Sequence, residues 1–129
     1  MAQALEYEWH ETPKVMIQVK VFKNTTLISF DQKDSLDLQT SKHFKNQMMD
    51  ILKKPFTNLF VDLEKVENVD AEGLNTLMAG QRLSEMNQSQ LSLFNVKEEV
   101  LKSMKKYDLD NYFFFCDRPK PFSDDLLMV

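Results

Sequence analysis

Glycine is nearly missing from this chain: two residues in 129, Gly73 and Gly80. A phosphate loop of the G-x-x-x-x-G-K-[ST] type and a G-x-G-x-x-G dinucleotide turn both need more, so both are excluded. Cysteine occurs once, as Cys116, so no disulfide forms within the chain and a cytoplasmic protein is expected. Histidine occurs twice, at His10 and His43. Neither stands at metal-ligand spacing, and no metal or cofactor is expected. A Ser/His/Asp hydrolase would have to use one of them, and no nucleophile elbow accompanies either. No apolar run approaches the roughly 18 residues of a membrane span, so no membrane insertion is expected. The first ten residues are acidic and lack the apolar segment of a secretory signal. An excess of basic charge is also absent: the formal net charge is −4, which argues against nucleic acid as the main partner.

What is present is an ordinary soluble balance, 43% hydrophobic and 28% charged, in a length that suits one domain with one core. The stretch from Asn58 to Leu83 organises it. Leu59-Phe60-Val61-Asp62-Leu63 has the bulk and length of a strand buried on both faces. An acidic turn follows, and Leu74, Leu77 and Met78 then recur at helical spacing. Glu72 falls in the first turn of that helix, beside N–H groups that lack helical partners.

The remaining elements follow from periodicity. Leu5, Tyr7 and Trp9 alternate with Glu6, Glu8 and His10, so residues 1–14 form an arm or an extra edge strand. Val15 to Phe22 alternates as a half-buried strand, Lys23-Asn24 turns, and Thr25 to Asp31 returns as a hairpin. Either Asp37 or Thr40 caps a helix whose stripe is Phe44, Met48, Ile51 and Leu52, and Lys53-Lys54-Pro55 closes it. Gln90 to Asn95 is a further strand. Asn95 with Glu98 has the spacing of a capping box for a third helix carrying Val96, Val100, Leu101 and Met104. Tyr112 to Cys116 is a short aromatic strand, with Cys116 expected as a buried structural thiol. Residues 117–129 form a tail that folds back or binds a partner. The domain proper is residues 15–116. The order ββαβαβαβ implies an α/β fold with a mixed, mostly parallel sheet, an antiparallel N-terminal hairpin and packed helices.

Leu59-Phe60-Val61-Asp62-Leu63, then Val66, Val69 and Asp70-Ala71-Glu72-Gly73-Leu74, resemble the STAS domain of bacterial anti-sigma factor antagonists. Leu36-Asp37 before the first helix, Val96 to Leu101, and Asp108-Leu109 resemble the same family at three further places. The resemblance implies a non-enzymatic regulatory module whose partner is an anti-sigma factor of the serine-kinase type. The partner surface it implies comprises Asp37, Asp70, Ala71, Glu72, Gly73, Asn75 and Thr76. In the sigma-regulating members a serine just before the glycine is phosphorylated. Glu72 occupies that position here, with Ala71 before it, and neither accepts a phosphate.

A phosphoserine carries about −1.5 to −2 charge, and Glu72 supplies one fixed negative charge at the same helix end. Such a domain is locked in a state resembling the phosphorylated form, or meets a partner bearing a matching Lys or Arg. The plainer reading is that an acid in a helix's first turn stabilises its dipole by about 0.3–1 kcal/mol. Thr76 is a candidate substitute phosphoacceptor. An alternative function is an accessory STAS subunit of a transporter or signalling scaffold without a phosphoswitch. A third is a small enzyme using Asp62, Asp70 or Glu72, which requires those carboxylates to converge in a pocket.

Overall fold

The computed structural model describes residues 17–31 and 34–119. The arm or strand expected over residues 1–14, and the tail beyond Pro119, lie outside the described residues.

Alternating β-branched residues make β1 (Ile17–Phe22) and β2 (Thr25–Phe30) the expected antiparallel hairpin, with Phe22 opposite Thr25. Next come β3 (Asp34–Leu36), α1 (Leu38–Leu52), β4 (Asn58–Asp62) and β5 (Val66–Val69). The chain continues through α2 (Ala71–Met86), β6 (Gln90–Phe94), α3 (Glu98–Lys106) and β7 (Phe114–Phe115). The main sheet has the order β1-β2-β4-β6-β7, antiparallel only at its first pair. This is the expected α/β architecture. Leu59 and Val61 of β4 and Leu91 and Leu93 of β6 share one core with Phe44, Met48 and Leu52 of α1, Leu74 and Leu77 of α2, and Val100 and Met104 of α3. Gly80 lets α2 approach α1 closely, since a Cβ there would lie 2.6 Å from the Met48 sulfur.

Four local expectations are corrected. The order ββαβαβαβ omits β3 and β5, which pair in parallel as a separate two-stranded sheet. Strands of three and four residues are too short for a period of two to show. Asn95 does not cap α3. It takes a left-handed conformation (φ 55°), which asparagine tolerates, and spends its side-chain amide on Asp62; the cap position is Lys97. The aromatic strand shrinks to Phe114 and Phe115, both exposed, while Phe113 is the buried anchor. Cys116 lies at the surface, only partly covered, and not in the core.

Candidate protein-interaction site

The site arises where β3 and β5 each run straight into a helix. Leu36 lies opposite Val69, and the Asp70 N–H donates to the Leu36 carbonyl at 3.2 Å. The starts of α1 and α2 are therefore neighbours. Of the two candidate caps for α1, Asp37 serves. Its Oδ1 accepts the Thr40 N–H at 3.1 Å, and its own N–H donates to Thr40 Oγ1 at 3.0 Å. This is the reciprocal pattern of a capping box, with threonine at its third helical position. Asp70 caps α2 from an extended backbone, its Oδ1 accepting the Gly73 N–H at 2.9 Å.

Two positive helix ends, each equivalent to roughly half an elementary charge, thus face three acids: Asp37, Asp70 and Glu72. Glu72 is half-buried in the first turn of α2, and no ion pair to it forms among the described residues. Asp70, Ala71 and Asn75 are exposed; Asp37 is half-buried. Gly73 and Thr76 turn inward with Leu77 and Gly80. Thr76 is 3% exposed, which removes it from the expected partner surface and as a presented phosphoacceptor. The helical period places it on the buried side, four residues from Gly80.

Ala71, Leu74, Asn75 and Met78 form one wall of a cleft of about 230 Å³, closed by Tyr107 and Leu109 beyond α3. Sequence reasoning missed this cleft. Leu74 and Met78 read as core positions from their spacing, and Tyr107 and Leu109 lie in a turn with no periodicity. The spacing of Ala71, Leu74, Asn75 and Met78 was the available signal, since residues three and four apart share a helix face.

A family profile described as "Mlab, STAS domain" matches residues 33–117, well over half the chain. This chain belongs to the STAS family. Solved structures share its fold at low sequence identity. An anti-sigma-factor antagonist (STAS) domain protein from Planctomyces limnophilus has a TM-score of 0.70 at 18% identity, covering 87% of this chain and 96% of its own. A serine-to-glutamate variant of RsbS from Moorella thermoacetica gives 0.66 at 18%, covering 87% and 95%. A sulfate transporter family protein from Wolinella succinogenes gives 0.58 at 14%, covering 74% and 80%. A search of the curated proteins returns no match.

The STAS domain keeps Asp62 apart from this site. Asp62 is 6% exposed and faces the other side of the sheet. Its Oδ1 accepts the Glu64 N–H at 3.0 Å and the Asn95 amide at 3.2 Å; its Oδ2 meets the Arg118 guanidinium at 3.2 Å. Arg118 also lies over the Phe94 ring, 5.4 Å from its centroid. A polar cavity beside Asp62 is lined by Lys20, Ser29, Glu64 and Lys65, and neither Asp70 nor Glu72 reaches it. Asp62 therefore does not converge with Asp70 or Glu72, as the small-enzyme expectation required. Among the described residues no three His, Cys, Asp or Glu side chains are placed to hold a metal, and no helix is long and apolar enough to cross a membrane. Partial burial, with the Asp117 carboxylate next to it, pushes the Cys116 thiol above its ordinary pKa.

Proposed function

We propose that this STAS domain is a protein-interaction module of the anti-sigma factor antagonist kind, and that its partner docks on the paired starts of α1 and α2. The partner is an anti-sigma factor of the serine-kinase type, and any ATP belongs to that partner. The observation carrying this reading is Glu72 at the rim of α2, one residue before Gly73 and two after the Asp70 cap. A fixed carboxylate stands there where the resemblance puts a removable phosphate. Its half-exposed position suits contact with a partner, and the adjoining apolar cleft supplies area. The Moorella RsbS variant, with a glutamate in place of a serine, has this same fold.

The test titrates the purified chain into a serine-kinase anti-sigma factor from the same organism, with and without ATP. Glu72→Ser is expected to take up phosphate and, unmodified, to change affinity roughly tenfold, about 1.4 kcal/mol. Wild type takes up none. If Glu72→Ser neither accepts phosphate nor alters affinity, the switch reading is lost.

A second reading, an accessory subunit of a transporter, draws on the fold shared with the Wolinella sulfate transporter family protein. Affinity capture discriminates the two: transporter subunits without a sigma regulator would decide for the second.

A further inference from the structure

β1 carries an apolar face that nothing among the described residues covers. Val19 lies opposite Ile28 and Val21 opposite Thr26, so both look to the helix side of the sheet. Ile28 is 0% exposed and Thr26 6%, yet Val19 is 42% exposed and Val21 68%. Phe56 stands beside them, 64% exposed, at φ 61°. A bulky residue in the left-handed region is strained, so this ring is held out at a cost. Its N–H donates to the Asn87 carbonyl and its carbonyl accepts the Asn24 amide, both at 3.3 Å.

Between Val21 and Phe56 runs a groove of about 540 Å³, floored by Ile51 and rimmed by Lys23, Lys53 and Lys54. The one acid lining it, Asp50, is engaged by Lys53 at 3.4 Å. Lys20 stands exposed on the opposite face of β1. The edge of β1 away from β2 has no strand partner among the described residues. Whatever completes this corner must therefore be apolar on one face and acidic on the other. The groove lies where β4 begins, at the far end of the sheet from the helix starts.

The residues ahead of β1 have that chemistry: Leu5-Glu6-Tyr7-Glu8-Trp9 alternates large apolar and acidic side chains. We propose that residues 5–9 of this chain add to the free edge of β1 as an antiparallel strand. A register with Tyr7 against Val19 sets Leu5 against Val21 at the groove and Trp9 against Ile17. The same register sets Glu6 against Lys20, an opposite-charge cross-strand pair. A slip of one residue would turn the acids into the apolar face, so the register is fixed by the pattern. His10 to Met16, seven residues including Pro13, are left to make the turn.

Trp9 is the only tryptophan, so the chain carries its own reporter. In the full-length protein its emission is expected to be blue-shifted and protected from acrylamide. Val21→Glu and Lys20→Glu replace exposed residues: the first sets a charge against Leu5 in the apolar face, and the second sets like charge against Glu6. Each should move the emission to the red and raise the quenching constant several-fold, with far-UV circular dichroism unchanged. Emission like that of a free tryptophan peptide in the wild type, or no response to either substitution, would overturn the proposal. A signal that depends on protein concentration would overturn it too, by assigning the cover to a second copy.

Discussion

The carbonyl oxygen of Leu36 occupies the space in which a side chain on Gly73 would begin, 2.2 Å from where a Cβ would stand. That carbonyl also accepts the Asp70 N–H. One main-chain atom of β3 therefore fixes both the cap and the first turn of α2. The rim on which Glu72 stands is thus positioned by the neighbouring strand rather than by α2 alone.

Gly73→Ala should be costly for this reason. The obstructing atom is main chain, flanked by Val69 Cγ1 at 2.8 Å, so the strand pair must separate. A loss of about 1–3 kcal/mol is expected from the forced backbone shift. Gly80→Ala is the control. Its Cβ meets the flexible Met48 side chain, and alanine gains up to about 1 kcal/mol in helix propensity. Urea titrations of the two variants should differ clearly in midpoint. Equal losses would mean that β3 does not hold α2 as described.

The Asp62–Arg118 pair spans 56 residues of sequence and joins the chain after β7 to the end of β4. The Asp62 side chain is 8% exposed, so removing Arg118 leaves a nearly buried carboxylate with two amide donors only. Arg118→Ala is expected to destabilise by about 1–3 kcal/mol, and Arg118→Lys to recover only part, because lysine lacks the planar fork. The Arg118 side chain is 37% exposed, which places the loss toward the low end through solvent screening. Thermal unfolding in low and high salt checks this; a purely surface pair would lose its whole effect in salt.

The three helices, the strands of the main sheet, the hairpin and the place of Glu72 in the first turn of α2 were legible in the sequence, because each rests on local periodicity or a spacing of three or four residues. The pairing of β3 with β5 was not, since Asp34-Ser35-Leu36 and Val66-Glu67-Asn68-Val69 are too short to show a period. Alternation in β1 gave the shared direction of Val19 and Val21 but carries no information on whether a helix lies above them. The Arg118–Asp62 contact is set by tertiary folding alone. Thr76 was misplaced for a different reason: a hydroxyl residue amid apolar ones gives no sign of which side it takes until the packing of Gly80 on Met48 sets the buried face of α2.

Cys116 should be a slow thiol. Its pKa is raised by partial burial and by the Asp117 carboxylate, so at any pH near neutrality less of it is thiolate, the reacting form. Alkylation by iodoacetamide should run slower than for a free cysteine peptide at pH 7.5, and the rate should climb to higher pH before levelling. Asp117→Asn removes the neighbouring negative charge, lowers the pKa and should quicken the reaction at that pH. An unchanged rate would show that burial alone sets the reactivity.

Glu72→Gln separates the two things a carboxylate does at this helix start. The substitution keeps shape and removes charge. If Glu72 only complements the α2 dipole, stability should fall by about 0.3–1 kcal/mol, less in high salt, and partner affinity should hold. If Glu72 is the fixed charge a partner reads, the stability change stays that small while affinity moves by roughly tenfold or more. Glu72→Lys should then reverse the sign of the charge dependence and not merely enlarge the loss. Measuring unfolding and binding on the same three proteins decides between them, because the dipole term is confined to the first turn and cannot by itself reach the size of a partner contact.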